Sequence, residues 1–553
     1  MIAFVLALAA CNGEIVNSID VRVHPPLTTS VAGDVLERAS EMTGVHFATT
    51  RARIVRTYLL LREGLPCTER DRAESERILR SQTFIASAAI YVIPEGPGRV
   101  SLQVEVVDEF PILFGGSISR GSLASATLGS QNLGGRGLLA AVRLSRGFAY
   151  RTGFGVRLTQ YGAFGRPALV ALDAEREQHG DRLRLEVAQP FLTDRQRNAF
   201  HFGSGGASTL ATLMSTTGAE VALYTRRASW DAGFARRLGT AVPGRTVGIL
   251  GAAIMGEDIR VGDDVVIVSR AGLVPAPDSA LVTRYHAFGV ARVAAIGGVR
   301  QLRYLTVRGV DAVRAEQDVG IGMQLGALVG PSVWASRGAS DLFIATDFYA
   351  GGGGESSFFT TRILAEARGN HESRRWDGVV ASARFIWYNR ASDHWSTTAS
   401  LEGSTLQHVA FPAQLSFRDA DGGVRGFGDA DAAGGQRAVA RIEQRIRFPQ
   451  ASVPVDLAAA LFADAGKLWA GTAPYGVTTP VRSALGVSIL GAYPSGGKRT
   501  YRLDVAFPLN PEGGRTKLEV RFSSSDRTVG VSAEPRDVAR NRTGATPATL
   551  LKW

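Results

Sequence analysis

Cysteine is nearly absent from this chain: Cys11 and Cys67 are the two in 553 residues. Two thiols cannot build a disulfide framework, so the fold must rest on its own packing. A Cys11–Cys67 bridge is open only if Cys11 carries no lipid. Lysine is also scarce. Four of the 62 basic residues are lysines and the rest are arginines, in a chain of net charge +11. The arginines are spread along the chain, many at alternate positions of extended segments. That spread argues against a nucleic-acid stripe and suits a polar barrel interior; genomic base composition accounts for arginine over lysine. No run of about 18 apolar residues occurs, so no spanning helix is available. The eight histidines form no HExxH or other paired-ligand spacing, and no G-x-S-x-G elbow is present. His201 with Ser204 is the one pair a barrel lipase or protease could use, and strand and turn surface explains both. No enzyme activity, metal or cofactor is expected.

Glycine, by contrast, is abundant at 64 residues, as suits sheets that bend into barrels. Hydrophobic residues make up 45% and the mean hydropathy is near zero. The N-terminus, Met1 to Cys11, holds a short apolar stretch from Ile2 to Ala10 without a basic start. Leu8-Ala9-Ala10-Cys11 resembles a lipoprotein box, which would put a lipid on Cys11. An ordinary signal-peptidase site with Cys11 nearby by chance is the preferred reading. Both imply export, so residues 1–11 read as a signal segment.

Residues 12–111 read as one small unit. Ile15 to Val23 alternates as a strand, with Ile19, Val21 and Val23 on one side. Arg51 to Glu63 carries a helical stripe of Ile54, Val55, Tyr58, Leu59 and Leu61, with Thr50 as its N-cap and Gly64 and Pro66 as its stop. Thr68 caps a second helix, with Asp71 as the acidic partner and Ile78 and Leu79 as apolar contacts. Strands Phe84–Val92 and Val100–Val107 close the unit. The order is β-α-α-β-β, with residues 25–47 in excess as an insertion.

From Ile112 the helical period vanishes. About 18 to 20 segments of period-two alternation follow, most about ten residues long, as tilted bilayer-crossing strands require. In Ala438–Phe448, Ile442, Ile446 and Phe448 oppose Arg441, Glu443, Arg445 and Arg447. In Tyr501–Phe507, Leu503 and Val505 oppose Arg502 and Asp504. Alternation alone does not say which face looks outward, but lipid admits only strands whose edges are all closed. The expected fold is mainly β, an antiparallel transmembrane β-barrel over 112–525, then a tail over 526–553. Leu518, Val520 and Phe522 mark the closing strand, because Leu550-Leu551-Lys552-Trp553 lacks alternation.

The sharpest motif is Val424-Arg425-Gly426-Phe427, in an Asp- and Gly-rich stretch from Arg418 to Gly435. Glu443 falls on the polar face of the next segment. Asp464 follows, in Phe462-Ala463-Asp464-Ala465-Gly466-Lys467-Leu468-Trp469, on the opposite parity from Leu457, Ala459 and Leu461. Both acids therefore share the lumen face, where a guanidinium could be held in fork-like bonds. Gly426 lets the turn approach the wall, and Phe427 can wedge against it.

This combination resembles the BamA/TamA superfamily of outer-membrane proteins. The 12–111 unit looks like a single POTRA domain, in the stretch Thr50-Arg51, Leu59-Leu60-Leu61, Gly64, Glu74 to Arg80, Phe84-Ile85 and Val104 to Asp108. Ser130-Gln131-Asn132-Leu133-Gly134-Gly135-Arg136-Gly137 looks like the family's opening hairpin turn, and its glycines lack the βαβ context of a nucleotide site. The resemblance covers residues 14–525. It implies a 16-stranded barrel, so the excess segments, within 198–260, become extended hairpins or loops. It also implies a loop that folds into the barrel on Val424–Phe427, with Glu443 and Asp464 as its lumen partners. Several POTRA domains, a plug helix and a chain end at the last strand are family features not visible here. The implied function is an assembly or insertion factor in the cell outer membrane, with the POTRA domain in the periplasm. It would act on unfolded outer-membrane or secreted clients by β-augmentation at a lateral seam, within the lipid bilayer and alongside periplasmic accessory proteins. A two-partner-secretion-like translocation pore is the alternative. A passive porin leaves Arg425 and the N-terminal unit unexplained.

Overall fold

The computed structural model describes residues 11–26, 48–119, 122–146, 152–177, 180–239, 245–269, 272–276, 278–336, 340–370, 375–418, 422–428, 432–449, 455–510, 518–525, 534–543 and 550. The signal segment apart from Cys11, and the insertion apart from residues 25 and 26, lie outside these.

The N-terminal unit begins with β1 (Asn12–His24), α1 (Ala52–Thr57), β2 (Pro66–Thr68) and α2 (Glu69–Arg80) and ends with β3 (Ile85–Gly96) and β4 (Arg99–Asp108). The sheet order is β2-β1-β4-β3, with β1 parallel to β4 and the other pairs antiparallel. Val100, Leu102, Val104 and Val106 alternate along β4 and are all buried. They meet Ile54, Val55, Leu59, Ile78 and Leu79 in one apolar cluster. Thr68 caps α2 as expected, its hydroxyl accepting from the Asp71 N–H at 3.2 Å.

The first helix differs from the expected 51–63. It is six residues long, and Arg51, not Thr50, stands at its N-cap. The Thr50 hydroxyl is engaged elsewhere, donating to Asp108 at 2.6 Å. After Thr57 the chain leaves the helix because residues 66–68 pair with β1, and Ser75 takes the Leu60 N–H at 2.9 Å. Leu59 and Leu61 thus reach the core without a helix to carry them. Cys11 and Cys67 are buried and joined in a disulfide. A sulfur so bonded cannot carry a lipid thioether, so the structure replaces the lipidated Cys11 with the bridge.

The barrel opens with β5 (Ile112–Ser119), β6 (Ser122–Ser130), β7 (Leu138–Arg146), β8 (Thr152–Ala163), β9 (Ala168–Glu177) and β10 (Gly180–Gln189). It continues with β11 (Asn198–Met214), β12 (Glu220–Leu238), β13 (Val247–Ser269), the short β14 (Gly272–Pro275), α3 (Ser279–Arg284), β15 (Phe288–Arg308) and β16 (Glu316–Ala335). Next come β17 (Asp341–Gly353), β18 (Ser357–Asn370), β19 (Trp376–Arg390) and β20 (Trp395–Gln407). After the two-residue strands β21 (Leu415–Ser416) and β22 (Ala433–Gly434), the wall finishes with β23 (Gln436–Arg447), β24 (Asp456–Trp469), β25 (Arg482–Ala492), β26 (Thr500–Pro508) and β27 (Glu519–Ser525). Leaving out β14, which pairs on β13, and the β21–β22 hairpin, twenty described strands form the wall, and β27 lies beside β5 to close it. The count corrects the expected sixteen. Residues 198–260, assigned to hairpins or loops, are β11, β12 and most of β13, hydrogen-bonded along their lengths into the wall.

The wall is turned inside out relative to a soluble sandwich. Ile442, Leu461, Val487 and Leu503 look outward, while Arg437, Glu443, Asp464 and Asp504 look inward and are buried or nearly so. All six described tryptophans are exposed, from 37% at Trp469 to 59% at Trp334. Trp334, Trp376 and Trp469 sit at strand ends on one rim, and Trp395 at a strand end on the other. Water would penalise so many exposed indoles; a bilayer's two interfaces favour them there.

The N-terminal unit lies across the near mouth of the barrel. Arg51 N–H donates to the Gly135 carbonyl at 2.9 Å, and Asn132 Nδ2 to the Thr50 hydroxyl at 2.6 Å, at the β6–β7 turn. A Cβ on Gly135, at φ +66°, would fall 2.0 Å from the Thr49 carbonyl, so glycine is required at this contact. Elsewhere around the mouth, Arg80 pairs with Asp318 at 2.8 Å, Arg77 lies 3.9 Å over the Tyr304 ring, and Glu109 accepts the Lys498 N–H at 2.9 Å.

Candidate functional site

The chain between β20 and β23 turns back into the far half of the barrel. β21 and β22 pair to form its neck, and residues 422–428 form its tip. The alternation of β23 and β24 fixes what the tip meets, because it sends Glu443 and Asp464 inward.

Arg425 Nε and Nη2 donate to the two Asp464 oxygens, each at 2.7 Å. Its backbone N–H reaches Asp464 at 3.3 Å, and Nη1 reaches Glu443 Oε2 at 3.3 Å. The guanidinium lies 3.5 Å over the ring centroid of Phe462, two residues before Asp464 on the same inward face. Arg425 is therefore gripped by a bidentate carboxylate, a second acid and an aromatic face. The charges continue across the wall. Glu443 also accepts from Arg502 Nη2 at 2.7 Å and Arg445 Nη2 at 3.2 Å, and Arg502 Nε donates to Asp504 at 2.6 Å. Three arginines face three carboxylates, which offsets the desolvation that a buried ion pair costs.

The rest of the motif packs. Val424 and Phe427 join Leu415, Phe417, Leu468 and Ala484 in an apolar cluster, with the two phenyl rings 6.2 Å apart. Gly426 adopts φ +85°, and a Cβ there would lie 3.4 Å from Ala506 Cβ and Pro508 Cδ. Its close approach to β26 is thus paired with a left-handed backbone that favours glycine. Gly428 N–H donates to Glu519 Oε2 at 2.8 Å, which ties the tip to the closing strand β27.

Sequence reasoning named Arg425, Glu443 and Asp464, and the structure brings these three together. It did not assign Phe462, Arg502, Asp504 or Glu519 to the site. Their inward parity was readable; their meeting across strands was not. Val520 and Phe522 lie on β27 opposite Val505 and Leu503, with Leu518 just before the strand; Phe522 stacks on Tyr501 at 6.4 Å. They are the outward face of the closing strand and do not touch the loop motif. His201 points inward and bonds Asp231 at 2.7 Å, whereas Ser204 stands on the opposite parity of β11. The pair considered for hydrolysis is thus split between the two faces of the wall. Among the described residues no cluster of metal-ligating side chains occurs.

No family model and no curated protein matches the chain. Solved structures do. BamA from Haemophilus ducreyi lacking POTRA domains 1–3 is similar over 92% of this chain and 85% of that one, at 11% identity and TM-score 0.40. CdiB from Escherichia coli is similar over 93% and 76%, at 12% identity and TM-score 0.45. CdiB from Acinetobacter baumannii is similar over 93% and 74%, at 10% identity and TM-score 0.41.

Proposed function

We propose that the chain is an outer-membrane assembly factor that inserts other β-strand proteins through the seam between β27 and β5. Its N-terminal unit acts as a POTRA domain facing the periplasm. The observation that carries this reading is the inward-folded tip. Arg425 anchors it to β23 and β24, and Gly428 anchors it to Glu519 of β27. The tip is therefore joined to the strand that forms one side of the seam. β27 and β5 have seven and eight described residues, fewer than any other strand of the wall, which limits the ladder bonds their junction can hold. An incoming strand would pair with the edge so freed. No covalent chemistry is needed, and unfolded clients and the bilayer are the only partners this mechanism requires.

A second reading, a pore that passes a secreted polypeptide, is favoured by one observation: the lumen already holds stretches of polypeptide from the chain's own C-terminus. Depletion in the native host separates the two. Insertion predicts loss of several unrelated barrels from the outer membrane with their unfolded forms in the periplasm. A secretion pore predicts loss of one exported partner and an otherwise unchanged outer membrane.

A further inference from the structure

After β27 the described chain lies inside the barrel. Glu534, α4 (Arg536–Asn541), Arg542, Thr543 and Leu550 touch inward-facing residues from widely separated strands. Asp537 accepts from both Nη atoms of Arg437 on β23, at 2.6 and 3.0 Å, and from the Ser416 N–H at 3.3 Å. Thr543 donates its N–H and hydroxyl to Glu366 on β18, at 2.8 and 2.9 Å. Arg227 on β12 donates to the carbonyls of Arg540 and Arg542, at 3.2 and 2.7 Å. Near the N-terminal unit, the Leu550 carbonyl accepts from Phe191 N–H at 3.0 Å. The Leu550 side chain is fully buried among Phe191, Ile249, Ile296 and Phe343.

Described residues of the segment therefore lie both at the loop tip and at the near mouth. It is also joined to the tip itself: Val538 belongs to the apolar cluster of Val424 and Phe427, and Pro535 occupies the space that a Cβ on Gly422 would fill. A cavity of about 890 Å³ remains beside it, lined by Arg227, Asp347, Glu366, Asp537 and Arg542 among others.

We propose that the lumen carries a polypeptide-binding track whose resident ligand is this chain's own C-terminal segment, and that the segment closes the conduit while it is bound. The track takes an extended or single-turn peptide that presents a carboxylate to Arg437 and an N–H with a neighbouring hydroxyl to Glu366. The contacts of Asp537, Thr543 and the Arg540 and Arg542 carbonyls are charged or polar. Water can replace those when the segment leaves, so the exchange is reversible, as it would not be for a plug held by an apolar core. The proposal concerns passage through the lumen and stands apart from the seam.

Single-channel conductance in planar bilayers tests it, comparing the full chain with a chain that ends at residue 533. The truncated chain should conduct several-fold more. A synthetic peptide of residues 534–553 should return it toward the full-chain level, and the same peptide carrying Asp537→Asn should do so less well. Equal conductance of the two chains, or no effect of the peptide on a truncated chain that shows heat-modifiable migration, overturns the proposal. Should truncation prevent folding, Asp537→Asn in the full chain should raise the open fraction several-fold; an unchanged open fraction overturns it equally.

Discussion

Arg425 has no cheap substitute at its position. Its Nε and Nη2 bond the two oxygens of a fully buried Asp464, its plane lies on Phe462, and its third nitrogen reaches Glu443. Removing one partner of such a buried pair typically costs about 3–5 kcal/mol. Arg425→Ala should therefore release the tip while Arg502 and Arg445 still hold Glu443, leaving the barrel folded. Arg425→Lys should restore little, because an ammonium lacks the fork and stacks less well. Limited proteolysis of intact membranes reads this: the 408–435 loop should be cut faster in both variants, with heat-modifiable migration unchanged. Wild-type protection in Arg425→Ala would show that the apolar cluster of Val424 and Phe427 holds the tip unaided. The three central residues were legible because two short-range signals coincide: the V-R-G-F turn fixes the donor, and period-two alternation fixes which acids face it. Arg502 and Asp504 were not legible as members. Nothing local to Tyr501–Phe507 says that β26 stands two strands from β24 in the closed wall.

At the scale of elements, the junction of β4 with the barrel carries the clearest pH dependence. Asp108, at the end of β4, accepts from the Thr50 N–H at 2.7 Å and hydroxyl at 2.6 Å, and Thr50 accepts in turn from Asn132 of the β6–β7 turn. Burial pushes the Asp108 carboxyl up to about 6, against the opposing pull of its Thr50 bonds. A carboxyl raised in the folded state holds its proton there after the unfolded chain has lost its own. Its contribution is therefore fullest below about pH 4 and is lost as pH rises through about 6, a change of roughly 2–3 kcal/mol. Protease resistance of the N-terminal unit in the full chain should fall between pH 4 and 7, and Asp108→Asn should fall less steeply. Parallel profiles would show that Asp108 is not the titrating group. The helices and strands of this unit were readable from stripe and alternation, whereas the shortness of α1 was not, because the pairing of β2 on β1 that ends it is long-range. The barrel strands were also readable, as 18 to 20 segments. The lower number came from the resemblance, and the continuous pairing of β11, β12 and β13 returns the count to the pattern in the residues themselves. The C-terminal segment was unreadable as part of the interior, since its partners Arg437 and Glu366 lie 100 and 177 residues away.

At the scale of the whole molecule, three bodies meet inside or against one wall: the N-terminal unit at the near mouth, the C-terminal segment in the lumen and the loop tip against β23 to β27. The wall closes where its two shortest described strands, β27 and β5, meet, and the tip reaches that junction through Glu519. The proposed insertion of clients at the seam requires β27 and β5 to part. A Cβ on Gly115 of β5 would lie 3.1 Å from the Ser524 hydroxyl oxygen of β27, so a Gly115→Cys, Ser524→Cys pair can be oxidised across the junction. The decisive measurement is client insertion by this variant in proteoliposomes, oxidised and then reduced, beside wild type treated identically to control for the Cys11–Cys67 bridge. The account predicts that insertion stops when the seam is locked and returns on reduction while wild type is indifferent; full insertion through a locked seam would contradict it.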